Sequence, residues 1–249
     1  MNLSFIIPCY NYGNLIDKNY KKLKNRIKNI SKNYELIFIN DGSIDDTFQK
    51  LMKIKENDKK VKIINNRENV GKSYSLIKGI SKSKFKNIVI YDCDLPYFEY
   101  LETIIKNLKK NHLVYINRKS KKSKLNTKSM SIYQISRFLI GRLMCLFLNF
   151  FLLDTKIGDT QAGLKAFIKP KNFFQIKFIS KKFFFDAELM IIFYKLKKTM
   201  KFIPVNYSVP KDSTIKIFEF KNIVYLIELL KVIFFYKVKN QKFFNKIKI

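Results

Sequence analysis

The stretch Tyr91-Asp92-Cys93-Asp94-Leu95-Pro96 sets two carboxylates two positions apart, just after the apolar run Asn87-Ile88-Val89-Ile90. On an extended chain, residues i and i+2 point the same way, so Asp92 and Asp94 are expected to converge and to repel unless something positive lies between them. A divalent cation shared with diphosphate oxygens converts that repulsion into chelation, and oxygen-only ligands select Mg²⁺ or Mn²⁺. The ion would stabilise a leaving nucleoside diphosphate as charge builds.

Three other motifs carry chemistry. In Asn40-Asp41-Gly42-Ser43-Ile44-Asp45-Asp46-Thr47 the glycine permits a tight turn and Asp45 or Asp46 can cap the helix that follows. Capping does not require Asp41, whose carboxylate is expected to face a crevice and accept the imide N–H of a uracil or the amino group of a guanine. Ile6-Ile7-Pro8-Cys9-Tyr10-Asn11 brings Pro8, an aromatic ring and an amide to the same rim. Asn69-Val70-Gly71-Lys72-Ser73 ends like a Walker loop but lacks its upstream glycine, so it reads as a helix start with Lys72 near phosphate. The single histidine, His112, precedes the apolar run Leu113-Val114-Tyr115-Ile116 and reads as structural.

These motifs need a frame. Leu3 to Ile7, Glu35 to Ile39, Val61 to Ile64, Asn87 to Ile90 and Leu113 to Ile116 read as strands. Between them, Leu15 to Ile30, Asp46 to Asn57, Ser73 to Ser81 and Phe98 to Lys109 read as helices. Strand and helix in alternation imply an α/β fold with a mostly parallel sheet and helices on both faces, which binds ligands outside the carboxyl ends of its strands. Residues 118–130 are polar, basic and aperiodic, and read as a loop.

The 249 residues carry 50 Lys+Arg against 19 Asp+Glu, a net charge of +31, which points to an anionic partner: phosphate, nucleic acid or an anionic membrane face. Only five of those bases are Arg, so much of the lysine excess fits an AT-rich genome and solvated faces. Cys9, Cys93 and Cys145 form neither a disulfide framework nor a zinc spacing, and no signal peptide begins the chain, which suggests a reducing compartment. Phe138 to Leu153 is apolar nearly all round but about sixteen residues long, short of the ~20 needed to span a bilayer. It is expected to lie in an interface, as is Ile223 to Tyr236, which is flanked by Lys221, Lys237, Lys239 and Lys242.

The order and spacing of Ile7-Pro8-Cys9-Tyr10-Asn11, Asn40 to Thr47, Asn69-Val70-Gly71-Lys72 and Asp92-Cys93-Asp94-Leu95 resemble family 2 of the glycosyltransferases, which have the GT-A fold. Gly158-Asp159-Thr160-Gln161-Ala162-Gly163-Leu164-Lys165-Ala166-Phe167 and Phe185-Asp186-Ala187-Glu188-Leu189 resemble, within it, the dolichyl-phosphate glucose and mannose synthases and their bacterial polyprenyl-phosphate counterparts. The resemblance covers residues 3–210. It implies a GT-A domain over 1–210, with a nucleotide half 1–117 and an acceptor half 131–210, followed by a basic amphipathic membrane-associating segment, 211–249. It assigns Asp41 to the nucleotide base and Asp92 with Asp94 to metal and diphosphate. Arg118 would meet the acceptor phosphate, Asp159 and Gln161 would line the sugar pocket, and Asp186 and Glu188 would organise the acceptor side. Asn40 replaces the first of the usual paired aspartates, Tyr12 a common glutamate, and Pro96 the metal-binding glutamine of many mannose synthases. Without any Trp, the Gln-x-x-Arg-Trp signature of processive synthases is missing.

The expected activity is therefore metal-dependent, inverting transfer of a hexose from UDP-glucose or GDP-mannose to a polyprenyl phosphate, at the cytoplasmic face of a membrane and without a nucleic-acid partner. Such an acceptor is already anionic and needs positioning more than a strong base, which suits a histidine-poor pocket. A second reading, transfer to a glycan hydroxyl, requires Asp159 or Asp186 as general base. A third, a non-catalytic basic binding module, leaves Asp41, Asp92 and Asp94 without a purpose.

Overall fold

The computed structural model describes residues 1–127, 130–153, 158–209, 223–239, 241–247 and 249. Its strands are β1 (Leu3–Cys9), β2 (Tyr34–Asp41), β3 (Val61–Asn66), β4 (Asn87–Tyr91), β5 (Leu113–Ile116), β6 (Lys124–Leu125), β7 (Leu164–Ile168), β8 (Met200–Ile203) and β9 (Asn206–Tyr207). Seven form one sheet in the order β3-β2-β1-β4-β7-β5-β8, and β6 pairs with β9. All pairings in the large sheet are parallel except those of β7, which runs antiparallel to β4 and β5. The five strands read from the apolar runs are all present, whereas β7 and β8 were hidden by Lys165 and Lys201 inside their short apolar stretches. Residues 118–130, read as loop, contain β6, held against β9; Lys128 and Ser129 lie outside the described residues.

The helices are α1 (Gly13–Ile30), α2 (Thr47–Asn57), α3 (Lys72–Ser81), α4 (Leu101–Leu108), α5 (Ile132–Leu148), α6 (Phe185–Lys195), α7 (Ile223–Val238) and α8 (Gln241–Asn245). Side chains alternate across each strand. Phe5, Ile7, Leu36 and Phe38 therefore enter a core with Leu23 of α1, Leu51 of α2 and Ile104 of α4. Ile6, Ile37 and Ile39 enter a second core with Leu76 of α3 and Met190 of α6. Leu229, Val232 and Tyr236 of α7 and Phe244 of α8 complete this second core. Of the basic amphipathic segment expected over 211–249, residues 211–222 lie outside the described residues, and α7 and α8 bury one face in the main domain.

Helix α5 also departs from its sequence reading. A capping box between Ser131 and Gln134 starts it six residues before the apolar run, and Asn149–Leu153 continues it as a π-helical turn. Ile132–Phe151, 20 residues, is long and apolar enough to cross a membrane by length and composition. Cys145 and Leu148 are buried, while Ile132, Leu139, Leu143, Leu146 and Phe150 are exposed.

Candidate active site at the strand ends

The loops after β1 and β2 are sewn together by their polar side chains. The Asn11 amide N–H donates to Ser43 Oγ (3.0 Å), and its side-chain Oδ1 accepts from the Ile44 N–H (3.0 Å). Asp45 accepts from the Gly13 and Thr47 N–H groups, so Asp45 rather than Asp46 fastens the start of α2. Asn11, expected to face a nucleotide, spends its side-chain oxygen on this seam, with half-buried Tyr10 beside it in sequence. Pro8 sits in β1 beyond Ile6, the last residue that pairs with β4, so its missing N–H breaks no bond on that side.

Asp41 differs from expectation. It is buried, and its Oδ1 accepts from Asn66 Nδ2 (3.0 Å), Ser75 Oγ (2.8 Å) and the Val70 N–H (3.2 Å), while Oδ2 accepts from the Gly71 N–H (3.0 Å). The carboxylate ties β2 to the turn before α3, leaving acceptor capacity on Oδ2 alone.

Asp92 and Asp94 are near enough for the charge of one to act on the other, but strand alternation does not place them. Strand β4 ends at Tyr91, and the Asp92 carbonyl accepts from the Leu95 N–H (2.9 Å), so Asp92 and Asp94 lie on a turn. Asn19 Nδ2 donates to the Cys93 carbonyl (2.8 Å), and Cys93 buries its thiol 3.2 Å from that of Cys9. Leu95 (φ 52°) and Tyr97 (φ 56°) both adopt the left-handed conformation around Pro96, a strained run of the kind that gathers at functional loops. The Asp92 N–H donates to the Gly163 carbonyl (3.0 Å), and its carboxylate lies so close to Gly163 that a Cβ there would meet Oδ2 at 2.2 Å. Burial, then the neighbouring Asp92, pushes the Asp94 carboxyl up to about 6.

The positive charge beside this pair is Lys72, whose Nζ lies 2.6 Å from Asp92 Oδ1 and 3.7 Å from Asp186 Oδ2. Behind it, fully buried Lys165 lies 2.9 Å from Asp186 Oδ1 and donates to the Ala162 carbonyl (2.5 Å). The result is a file of alternating charge, Lys165, Asp186, Lys72, Asp92, running from the interior of the sheet to its rim. Burial works against the charge on Lys72, but Asp92 and Asp186 together hold it protonated. Lys165 was missed in the sequence. Its signal was a lone cation in the apolar stretch Leu164 to Phe167, because a buried lysine demands a carboxylate.

Among the described residues no three His, Cys, Asp or Glu side chains gather as a metal cluster. What the chain offers a divalent ion is Asp92 and Asp94 on one turn. That set fits an ion that takes its remaining oxygens from substrate phosphates and water, and a cation there would offset both the burial of Asp94 and its repulsion by Asp92.

Half-buried Arg118 and buried Asp159 form a separate pair. Arg118 Nε and Nη2 both bond the Asp159 carboxylate, the latter at 2.8 Å, leaving one guanidinium nitrogen outside this fork. Burial opposes ionisation of Asp159, yet Arg118 overrides it and lowers the carboxyl to about 2. The Gln161 N–H donates to Asp159 Oδ1 (3.1 Å), and its buried Nε2 has no hydrogen-bond partner among the described residues.

The chain matches the family described as Glycosyl transferase family 2 over residues 4–174. It belongs to glycosyl transferase family 2. A dolichyl-phosphate beta-glucosyltransferase of Trichomonas vaginalis is 26% identical over 95% of this chain and 74% of its own length. Two glycosyltransferases of Bacillus subtilis, CsbB and YkcC, are 36% and 31% identical over 40% and 65% of the chain, which spans 30% and 52% of their lengths. The fold is GT-A: glucosyl-3-phosphoglycerate synthase of Mycobacterium tuberculosis, solved with Mn²⁺, UDP-glucose and phosphoglyceric acid, superposes with a TM-score of 0.63 at 16% identity, covering 93% of this chain and 79% of that one.

Within this family 2 domain, Asp92, Asp94, Lys72 and Asp186 come together at the rim, and Arg118, Asp159 and Gln161 form a neighbouring group. Glu188 does not join them. It is fully buried and accepts from the Ile179 N–H (2.8 Å), the Ser180 N–H (2.6 Å) and Tyr236 Oη (2.8 Å), so it braces α6 against α7 rather than lining an acceptor pocket.

Proposed function

We propose that the protein transfers a hexose, with inversion, from a UDP- or GDP-sugar to a polyprenyl phosphate at the cytoplasmic face of a membrane, with Mg²⁺ or Mn²⁺ as cofactor. The observation that carries this reading is the turn bearing Asp92 and Asp94, where two clustered carboxylates meet one compensating lysine at the strand ends of a family 2 domain. Bound there, the ion would neutralise charge on the departing diphosphate. The chain's own part is to hold the donor: Lys72 is within reach of both Asp92 and the phosphates expected beside it, and the Oδ2 of Asp41 keeps capacity for a base N–H.

The acceptor follows from what the carboxylates are doing. A hydroxyl acceptor needs a general base, yet Asp159 is locked by Arg118 and Asp186 lies between Lys165 and Lys72. A phosphate acceptor is its own nucleophile. The match along 95% of the chain to a dolichyl-phosphate beta-glucosyltransferase agrees with it. Family membership speaks against the reading as a non-catalytic basic module. For the membrane, exposed Leu139, Leu143, Leu146 and Phe150 of α5 and Leu226, Leu230 and Phe234 of α7, with exposed Lys231, Lys237 and Lys239, have the composition that binds an anionic lipid surface. We read α5 as lying in that surface rather than crossing it, because its buried Cys145 and Leu148 seal one side to the domain.

Incubation with radiolabelled UDP-glucose or GDP-mannose, a short polyprenyl phosphate and Mn²⁺, followed by organic extraction, tests donor and acceptor together. Label confined to the aqueous phase with both donors would refute the reading.

A further inference from the structure

One carboxylate on α7 does no chemistry at the rim, yet it is bound to it. Glu228 is buried on the inner face of the helix and accepts three backbone N–H groups from a single turn: Lys181 and Lys182 on Oε1 (both 2.7 Å) and Phe183 on Oε2 (2.9 Å). Three donors converging on one carboxylate fix the orientation of that turn against the helix. The same turn caps α3 from its other side. The Lys182 carbonyl accepts from the Ser73 N–H (3.1 Å) and the Lys181 carbonyl from the Tyr74 N–H (3.0 Å), satisfying first-turn donors that a helix leaves unpaired. Ser73 Oγ lies 2.8 Å from Ser180 Oγ and accepts from the Phe185 N–H (3.0 Å). The joint has no slack: a Cβ on Gly71, which sits at φ 106°, would come within 2.7 Å of the Lys182 backbone.

The first residue of α3 is Lys72, the cation on Asp92. An unbroken path of short bonds therefore runs from Glu228 through the 181–183 turn to Ser73 and Tyr74, and so to Lys72. At its far end, α7 turns Val224, Leu226, Ile227, Leu230, Phe234 and Val238 outward, roughly half or more exposed, and edges them with Lys231 and Lys237. Glu228 is the direct link between α7 and the 181–183 turn; a second, longer one runs from Tyr236 through Glu188 to Ser180.

We infer that Glu228 is a positioning residue that couples docking of α7 on an anionic lipid surface to the placement of Lys72, so that the membrane-bound enzyme holds a nucleoside diphosphate more tightly than the free one. This rests on the proposed nucleotide and membrane partners. Coupling between sites is reciprocal and commonly worth between about 5-fold and about 150-fold in affinity.

The test is a binding cycle with UDP plus Mn²⁺ (and GDP plus Mn²⁺) and vesicles of phosphatidylglycerol and phosphatidylcholine. For the wild type, saturating vesicles should lower the nucleotide Kd by about tenfold. Glu228→Gln should bind vesicles as the wild type does, yet show less than about a twofold vesicle effect on nucleotide affinity, because an amide NH₂ cannot accept from Phe183. Leu230→Ser/Phe234→Ser should still bind vesicles through α5, lose the vesicle effect on nucleotide affinity and keep the nucleotide Kd measured in solution. Hydrogen exchange on the wild type gives a readout that no misfolded variant can confuse: vesicles should slow exchange of the Ser73 and Tyr74 amides. Nucleotide and vesicles both binding with no effect on each other, full coupling in Glu228→Gln, or unchanged exchange at Ser73 and Tyr74 overturns the inference alone. A wild type that binds no nucleotide, or no vesicles, overturns the proposed function and the coupling with it.

Discussion

Two turns meet Lys72 and its helix, and they are built in opposite ways. The 92–96 turn supplies carboxylates and receives almost no donors: Asp92 has one lysine, and Asp94 is lifted to about 6 by burial and by Asp92. The 179–183 turn supplies backbone N–H groups and receives carboxylates, Glu188 at two of them and Glu228 at three. A carboxylate already saturated with N–H donors holds architecture; one left short of positive charge is poised to take a cation from outside. By this criterion Asp41, with four donors, belongs in part to the architecture, although its motif reads as a ligand site.

The comparison breaks most visibly at Asp94. Asp94→Asn should reduce transfer of label to the organic phase by about 10³-fold or more, since removing a preorganised charge group costs several kcal/mol in the transition state. Its melting temperature should hold or rise, because the substitution relieves repulsion from Asp92. Loss of both activity and stability would class the turn with the architectural one.

Lys165 is the next largest. Lys165→Met strands Asp186 in the interior with only Lys72, 3.7 Å away, and should cost about 3–5 kcal/mol, a drop on the order of 10 °C in melting temperature. Lys165→Met/Asp186→Leu should recover most of that stability, since a buried pair exchanged for apolar residues is often neutral. A single variant as stable as the wild type would show that the file of charges does not reach the interior. At the rim end of the same file, Gly163→Ala should lower activity by about 10²-fold with little change in fold, because the new methyl displaces the Asp92 carboxylate. Unchanged Mn²⁺ affinity in that variant, measured by electron paramagnetic resonance, would separate Asp92 from the metal.

Which of these features the sequence disclosed follows from how local they are. Strands β1 to β5 and helices α1 to α4 alternate in order, so apolar runs and turn residues announce them and bring Asp41, Lys72, Asp92 and Asp94 to one edge. Strand β7 inserts antiparallel between β4 and β5, which no local pattern encodes. The partner of Lys165 is 21 positions away on another element, so the lysine alone could say only that it needed one. Asp41 reads as a free acceptor because its donors Asn66, Val70, Gly71 and Ser75 come from the end of the next strand and from the loop and helix that follow it. Glu188 sat in a motif that resembles an acceptor site, yet the bonds that orient it come from Ile179, Ser180 and Tyr236.

The smallest effect sharpens the architectural side. Burial is the largest influence on Glu188 and raises its carboxyl from the ordinary 4.5 to about 7, against the pull of the Ile179, Ser180 and Tyr236 donors. Between those two values the folded protein holds a proton that the unfolded chain has released, so this group's contribution to stability is full below about 4.5 and is lost as pH rises through 7. Urea midpoints measured from pH 5 to 8 should therefore carry a downward component that disappears in Glu188→Gln, even though the variant starts weaker for want of one acceptor. An undiminished pH slope in Glu188→Gln would mean that Glu188 is ionised throughout, its charge held by the Ile179, Ser180 and Tyr236 donors in spite of burial.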